Sequence, residues 1–447
     1  MTARGLSLGA GPRPALLVVG PIVLLVLALV LAVQPWLATG ALLGALLLVL
    51  TVQWPLLVVG AMLTLGPLDL SFMTGGFKEL FPQLGGLDMN GIRLVGITVG
   101  LSAVILSDRD LLRSLLGRRV RWYAIFLAYA AATTAWSLHP LEGARLLFKL
   151  AYPLLVFLVV TAPGRTREEV WRLGDWILAG AATILVLNPF FVAAGGYELS
   201  FQGQLRVQGA GLHENPFSFY LLVVILISVG RFSVRGGARY LLLAGLAVVW
   251  MGLTLTRITL LAGLVGMGGM AAYGALVSRN YRLAFGAGAV GIAVAVALLP
   301  VTLVRTFGYV PTVGELVTLA RSPVDLFNAM NWQGRERYWP ILAAAWMQRP
   351  WLGLGLGSST AILTANFPPE AGLVAHNEYI RLGTDAGLVG VVLFFVAMTA
   401  WLRATLTAGR EDAGVRELAL PGLAALLAWG IISATDNAFD YYSPFTQ

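Results

Sequence analysis

Long apolar stretches recur along the whole chain, and each is bounded by polar or charged residues. The first is the most extreme, because no Asp, Glu, Lys, Arg or His occurs between Pro14 and Leu68. Stretches that approach the length needed to cross a bilayer occupy 16–33, 37–53, 54–70, 92–107, 121–138, 146–162, 174–194, 216–230, 239–256, 257–277, 283–300, 386–402 and 418–434. They predict an all-α polytopic membrane protein with about 12–14 transmembrane helices, since each span needs about 20 largely apolar residues.

Two pairs of neighbouring stretches have almost no loop between them. One pair meets around Gln53-Trp54-Pro55 and the other around Thr256-Arg257. Each pair is either a tight hairpin or one broken helix. We interpret the first stretch, which follows Arg4 and Arg13, as a retained helix rather than a signal peptide, because further spans follow closely.

The composition agrees with a membrane protein. Hydrophobic residues make up 58% of the chain and charged residues 12%, against about 45–50% and about 25% in soluble domains. This excludes a soluble enzyme, a nucleic-acid-binding protein and a disordered chain. The chain has no cysteine, which excludes disulfides, thiolate metal sites and cysteine nucleophiles.

The distribution of arginine predicts the orientation of the spans. Cytoplasmic loops of membrane proteins are enriched in Lys and Arg, and the net charge of +8 is attributed to such loops rather than to nucleic-acid binding. Alternating spans place the N-terminus and most arginine clusters on one side, which is therefore cytoplasmic. These clusters are Arg4 and Arg13; Arg109, Arg113, Arg118, Arg119 and Arg121; Arg165, Arg167 and Arg172; Arg231, Arg235 and Arg239; Arg279 and Arg282; and Arg403, Arg410 and Arg416.

One long polar loop lies on the opposite, extracytoplasmic side. We divide the chain into eleven spans at 1–300, an extracytoplasmic catalytic loop at 301–385 and C-terminal spans at 386–447. Within the loop, Arg335 to Met347 has the spacing of an amphipathic helix, with tryptophans expected at the membrane interface. The glycine-rich segment 353–357 is expected to be a flexible turn.

A histidine at the end of the long loop is the candidate catalytic base. His376 lies in Ala375-His-Asn-Glu-Tyr379, directly before a span. Imidazole is suited to accept a proton from a hydroxyl near neutral pH. A purely structural role for His376 is about equally compatible with the sequence.

Two arginines on the same side are candidates for binding phosphate. Arg257 stands alone in an otherwise uncharged stretch from Tyr240 to Ser278, and Arg206 lies in the loop before the eighth span. A cation within the membrane is costly unless it is paired or lines a wet cavity, and a guanidinium binds phosphate oxygens well. The alternative is an ion pair with Glu198 or Glu214.

Arg145 and Lys149 are spaced to share one helix face and would widen this positive patch. For them, pairing with Glu142 or extension towards the membrane surface is an equally good interpretation. No nucleotide-binding lysine motif or metal-binding histidine motif occurs, so we predict a protein that uses neither a cofactor nor a metal.

Three segments, in this order, resemble the O-antigen ligase and O-antigen polymerase superfamily of bacterial envelope glycan assembly. They are LTLTRITLLAGL around Arg257, GRERYWPILAAAWMQRPWLGLGLGS, and HNEYIRLGTDAGLVGVVLFF from His376. The resemblance covers roughly residues 200–440. It implies a GT-C-like helical glycosyltransferase of the bacterial inner membrane, with its active site on the periplasmic side.

The resemblance also implies substrates and residue roles. The donor would be a glycan on undecaprenyl diphosphate, and the acceptor a sugar hydroxyl of lipid A-core or of another glycan, among membrane lipids. Arg206 and Arg257 match the arginines that hold the diphosphate, His376 matches the loop histidine, and Arg335 matches an arginine before the tryptophan-containing helix. His213, Asn377 and Tyr379 are expected to support the site, although 213–216 departs from the family's Asn-Pro-Asn pattern.

The predicted reaction is a single inverting displacement without a metal. Arg206 and Arg257 would stabilise the departing diphosphate, while His376 removes the proton of the acceptor hydroxyl. The alternatives are a polymerase of the same fold, a flippase or exporter of the lipid-linked glycan, and a peptidoglycan-type polymerase.

Overall fold

The computed structural model describes residues 35–65, 89–115, 117, 120–163, 165–193, 197–199, 205–207, 209, 214–330, 335–367, 374–411 and 413–440. The predicted first span at 16–33 and the candidate residue His213 lie outside these residues. The described part is almost entirely helical. Its α-helices are α1 Pro35–Gln53, α2 Pro55–Leu65, α3 Met89–Ser107, α4 Arg109–Ser114, α5 Arg121–Thr133, α6 Pro140–Val160, α7 Arg167–Ala193, α8 Glu214–Arg235, α9 Ala238–Leu253, α10 Arg257–Ala272, α11 Tyr281–Phe307, α12 Val313–Arg321, α13 Pro323–Ala329, α14 Arg335–Gln348, α15 Ser358–Asn366, α16 Glu378–Glu411 and α17 Ala413–Ser433.

The helices confirm an all-α polytopic membrane protein. Among the described residues, five helices are long and apolar enough to cross a membrane, and they include most of α6, α7, α8, α10 and α16. Helices α1 and α2 meet at an angle of 119° and together would form a sixth span. Apolar parts of α3, α9, α11 and α17 are shorter. The total number of spans and the three-part division of the chain remain predictions.

Both junctions that lack a loop are sharp breaks. Proline begins α2, where the absence of its N–H costs no hydrogen bond. Between α9 and α10, Leu255 adopts a φ of +55°. That left-handed conformation is uncommon for a residue with a side chain, so it separates α9 from α10 and places Arg257 at the beginning of a new helix.

Helix α8 forms the centre of the bundle, and most of its residues are buried. It packs side by side with α10 in the same direction. Near their first turns, the hydroxyls of Ser218 and Thr259 are 2.8 Å apart, and one turn further along, Leu222 approaches Gly263. The beginnings of α8 and α10 therefore lie at the same end of the bundle.

Helix α16 is bent back on itself at Gly387, whose φ of 66° and ψ of −173° are not helical. As a result, the rings of Tyr379 and Phe395 stack with their centroids 5.4 Å apart, although sixteen positions separate them. The residues before Gly387 form a short helix that lies against the longer segment. Gly387 falls at the boundary that the sequence placed at 385/386.

The described parts of the long loop are also mostly helical. Helix α12 begins with a capping box, in which the Thr312 and Glu315 side chains each accept a backbone N–H of the other residue. The predicted amphipathic helix is confirmed as α14, which buries Tyr338, Leu342 and Ala345. A small antiparallel hairpin, β1 Tyr197–Leu199 and β2 Leu205–Val207, precedes α8 and pairs Glu198 with Arg206 across the strands.

Candidate active site

His376 is held in an uncommon backbone conformation directly before α16. Its φ is +45°, which is costly for a residue with a side chain and persists only where neighbouring groups fix it. The backbone N–H of His376 donates to Oδ1 of Asn437 over 2.7 Å. The indole N–H of Trp339 donates to the carbonyl of Ala375 over 2.9 Å. Trp339 therefore anchors the histidine loop, and its place at the membrane interface stays a prediction.

The imidazole of His376 forms a pair with Asp436, just after α17. His376 Nδ1 lies 3.1 Å from Asp436 Oδ1, and the histidine side chain is 28% exposed while the aspartate is 3% exposed. The side-chain nitrogen of Asn437 also lies 3.1 Å from Nδ1. A carboxylate is the stronger acceptor, so we assign the Nδ1 proton to the bond with Asp436. Nε2 is then the basic nitrogen.

A second set of contacts joins the same two segments, and here the backbone donor belongs to the segment after α17. The carboxylate of Glu378, two residues after His376, accepts the backbone N–H of Phe439 over 2.8 Å and lies 3.4 Å from Arg381. Asn377 caps α16 by accepting the N–H groups of Tyr379 and of the next residue, each over 3.0 Å. The Tyr379 hydroxyl donates to Gly430 O over 2.6 Å. The predicted residues Asn377 and Tyr379 thus position His376.

Tyr338 extends this polar group from α14. Its ring lies 6.4 Å from the ring of His376. Burial raises the pKa of Tyr338 to about 12, with a smaller opposite effect of Arg335 and a smaller reinforcing effect of Asp436. The hydroxyl is therefore neutral near pH 7 and is available as a hydrogen-bond donor. The predicted residue Arg335 begins the same helix.

Arg206 belongs to a second polar group, at the beginnings of α8 and α10. Its guanidinium forms an ion pair with the buried Glu214, which confirms the alternative that the sequence left open. Nε donates to the carbonyl of Thr254 over 3.3 Å, and Nη2 donates to Asn215 Oδ1 over 3.4 Å. The guanidinium is thus fixed in orientation, and its charge is compensated by a carboxylate.

Arg257 is connected to the same group through the break before α10. The Thr256 hydroxyl donates to Asn215 Oδ1 over 3.4 Å rather than capping the helix, and Arg257 is the first helical residue. The beginning of a helix carries a partial positive charge from its free N–H groups. Arg257 therefore stands at a positive helix N-terminus, directly after Thr256, which shares Asn215 with Arg206.

The remaining basic candidates lie on α6. Arg145 forms an ion pair with Glu142, as one of the sequence interpretations had it. Lys149 lies one turn deeper and lines an internal cavity.

The glycine-rich segment 353–357 is locked in place, so the expectation of a flexible turn is wrong. The Asp385 carboxylate is fully buried and accepts the N–H groups of Gly357 over 3.0 Å and Ser359 over 2.7 Å. Gly355 has a φ of +100°, and an added Cβ would overlap the backbone of Ser137. The segment therefore joins the start of α6 to the bend in α16 that carries the histidine.

An apolar cavity of about 230 Å³ lies between α5, α6, α8, α16 and α17. Phe219 lines it and follows Asn215 by one helical turn, so the two residues share a stripe of α8. Phe439 also lines it and lies two residues after Asn437. One residue near Asn215 in α8 and one residue near Asn437 thus line the same cavity.

The sequence interpretation did not identify Asp436, Asn437, Glu378 or Tyr338 as site residues. An acidic residue directly after the last apolar stretch, on the side predicted to hold the histidine, was the available signal for Asp436. Within the described residues, no cluster of three or more His, Asp and Glu side chains forms a metal-binding arrangement.

Residues 240–395 match a family model described as O-antigen ligase. The match includes Arg257, Arg335 and His376, and it ends before Asp436. No match was found among curated proteins. The match confirms the predicted resemblance and indicates a membrane glycosyltransferase of the ligase and polymerase type. Over residues 240–395 the chain is therefore similar to the O-antigen ligase family.

Proposed function

We propose that this protein is a ligase-type glycosyltransferase that moves a glycan from undecaprenyl diphosphate to a sugar hydroxyl of lipid A-core. The reaction takes place on the periplasmic face of the bacterial inner membrane. The observation that carries the proposal is the contact of His376 Nδ1 with the buried Asp436, which leaves Nε2 available as a base.

The transfer is one displacement at the anomeric carbon of the donor sugar. The acceptor oxygen forms a bond to that carbon while the carbon–oxygen bond to the diphosphate breaks, so the configuration inverts. His376 Nε2 takes the proton of the acceptor hydroxyl, and Asp436 stabilises the imidazolium that forms. The diphosphate leaves with the electron pair of the broken bond.

Arg206 and Arg257 stabilise the charge of the leaving diphosphate. Fixed donors in a site shielded from water stabilise developing charge better than mobile ones, because they need no reorganisation during the reaction. The contacts of Arg206 with Glu214, Asn215 and Thr254 supply that fixation. Arg257 adds a guanidinium and the positive end of α10.

The test is transfer by the purified full-length protein in lipid, with EDTA present. The donor is an oligosaccharide on undecaprenyl diphosphate, the acceptor is lipid A-core, and the products are separated on a gel. We expect a shifted lipid A-core band with the wild type and its loss with His376→Ala. His139→Ala is the matched control, since that histidine caps α6 through Nδ1.

The products also separate the alternatives. Lengthening of the donor glycan with unmodified lipid A-core would assign the protein as a polymerase. Movement of labelled donor across the bilayer with neither product would overturn the transferase and favour the exporter. Equal transfer by the wild type and a folded His376→Ala variant would falsify the role of His376.

A further inference from the structure

An open groove of about 480 Å³ lies on the surface of the bundle between α5 and α16. Among the described residues its lining is mostly apolar and includes one charged side chain, that of Arg403. Val392 and Phe395 on its α16 side are 51% and 46% exposed, so the groove faces the surroundings of the bundle rather than its core. Neither His376 nor Arg206 lines it.

The groove is as long as the acyl-chain region of one leaflet. Its α16 residues form one stripe of that helix, because they recur three or four positions apart. They are Val392, Phe395, Val396, Thr399, Ala400 and Arg403. The first and last are eleven positions apart, which corresponds to about 16 Å of helix. Half of a hydrocarbon core of about 30 Å measures about 15 Å.

The charged end of the groove lies at the opposite face of the membrane from the histidine loop. Helices α5 and α16 are antiparallel, since the rings of Tyr123 and Trp401 stack with centroids 4.6 Å apart, whereas the Tyr129 hydroxyl donates to the carbonyl of Ala386 over 2.9 Å. Arg403 follows Ala386 by seventeen positions, or about 25 Å of helix. The groove therefore reaches the face that the distribution of arginine predicts to be cytoplasmic.

Two guanidiniums stand at this end of the groove. Arg403 contributes one from α16. Arg121, the first residue of α5, lies over the ring of Trp122 at 5.4 Å, and Trp122 lines the groove. Both arginines are exposed, and within the described part of the chain neither forms an ion pair with a carboxylate. In contrast, Arg231 near the end of α8 pairs with Asp175 over 2.7 Å.

We propose that this groove binds an anionic glycerophospholipid of the leaflet opposite to the histidine loop. One acyl chain lies along the stripe of α16, and the phosphate contacts Arg121 and Arg403. Basic pockets between transmembrane helices on the cytoplasmic side suit lipid phosphates, and a guanidinium matches the geometry of phosphate oxygens. Two cations without a carboxylate partner favour a headgroup with a net negative charge over a zwitterionic one. The proposal is independent of the proposed function.

The test uses the purified full-length protein in nanodiscs of phosphatidylcholine. The probes are phosphatidylglycerol and phosphatidylcholine, each with a photoreactive diazirine on one acyl chain, and peptide mass spectrometry locates the labelled residues. Labelling of residues 392–403 as a function of probe concentration measures the affinity of the groove separately from lipid bound elsewhere.

The first variants test the headgroup contact. The wild type should bind phosphatidylglycerol more tightly than phosphatidylcholine. The Arg121→Gln/Arg403→Gln double variant should lower the affinity for phosphatidylglycerol about 30-fold, and each single substitution about fivefold, the effect of one cation near an anionic lipid surface. Arg239→Gln is the matched control, because Arg239 is also exposed, stands at the start of a helix and lies 4.9 Å from the ring of the next residue, without lining the groove.

A second substitution tests the chain contact. Thr399 is exposed and lines the groove, so Thr399→Trp would place a ring in the groove without displacing a buried side chain. Labelling by both probes should fall about tenfold, the order of effect of one apolar group in a binding pocket. Thr183→Trp on α7 is the control, because Thr183 is likewise an exposed threonine of a spanning helix and does not line the groove.

Three results would overturn the proposal. Equal affinity of the wild type for the two probes would mean that the groove does not select an anionic lipid. An equal loss with Arg239→Gln would indicate attraction to a basic surface in general. Undiminished affinity of Thr399→Trp for phosphatidylglycerol would mean that the arginines bind phosphate without a chain in the groove.

Discussion

The His376 group and the Arg206 group are held by different means. His376 is partly exposed, and its position depends on a strained backbone and on hydrogen bonds with a distant segment. Arg206 is a mostly buried cation with a carboxylate partner and two further acceptors. In the proposed reaction, His376 transfers a proton and Arg206 directs its hydrogen-bond donors at the diphosphate.

This difference shows that net charge alone does not define the phosphate side of the site. Glu214 compensates the charge of Arg206. The Arg206 group therefore offers oriented hydrogen-bond donors to an anion rather than a free positive charge. The N-terminus of α10, where Arg257 lies, adds the positive potential of a helix end. On the histidine side, by contrast, the negative charge of Asp436 is useful because it supports the protonated imidazole.

The largest effect is expected at Asp436, and it should distinguish the His376 group from the Arg206 group by the kinetic constant that changes. Asp436→Asn should lower kcat about 100-fold with little change in KM for the donor, because the carboxylate orients and stabilises the base. Initial rates of transfer measure this. In a His376→Ala background, Asp436→Asn should lower kcat no further. If the two substitutions instead lowered kcat independently, so that their effects multiplied, Asp436 would not act through His376.

A smaller effect is expected on the arginine side, and it should appear in donor use. Arg257→Ala should lower kcat/KM for the donor about 30-fold, and Arg257→Lys should recover only part of the loss, because an ammonium cannot form two parallel bonds to phosphate. Donor-dependence curves for the three proteins provide the measurement. Equal activity of the Ala and Lys variants would contradict a forked contact.

The ion pair between Arg206 and Glu214 allows a more direct test of how the Arg206 group differs from the His376 group. Glu214→Gln leaves the guanidinium without its compensating charge, so we expect donor affinity to be kept or to rise a few-fold. Stability should fall by about 3 kcal/mol, because one partner of a buried ion pair is lost. Binding of undecaprenyl diphosphate measures the affinity, and the thermal unfolding midpoint measures the stability. A loss of affinity with unchanged stability would contradict the role of Glu214 as the compensating partner of Arg206.

The smallest effect on transfer is expected at Gly355, which affects the His376 group only by stabilising the fold around it. Gly355→Ala should destabilise the protein by about 3 kcal/mol, because an alanine at this φ is strained and overlaps Ser137. The rate per folded molecule should change less than twofold at low temperature. Gly314→Ala is the control, since its Cβ would meet no atom within 4 Å.

The hydrophobic pattern predicted the helices well because each spanning segment must satisfy its own backbone hydrogen bonds. Helices α8, α10 and α11 overlap the predicted stretches, and the sequence also placed a break before Arg257. It did not predict that α16 is bent at Gly387. Periodicity describes a helix and carries no information on a single residue with non-helical angles.

The site was predictable only where local sequence carries the chemistry. His376 and Arg257 stood out because a polar residue in an apolar context needs an explanation. Asp436 did not, because its importance depends on a contact across sixty positions. Similarly, the bond of Trp339 to Ala375 joins residues thirty-six positions apart, so the sequence carried no sign that Trp339 lies against the histidine loop.

The two-way connection between the histidine loop and the residues after α17 also has a consequence for biosynthesis. The backbone N–H of His376 donates to Asn437, and the backbone N–H of Phe439 donates to Glu378. The position of His376 therefore depends on a segment that is translated well after the histidine. A ribosome-bound chain that has exposed His376 still lacks Asp436, and the spans before it are already inserting. The enzyme therefore becomes competent only once its final described helix is in the membrane, so partly made chains would leave lipid-linked donors untouched.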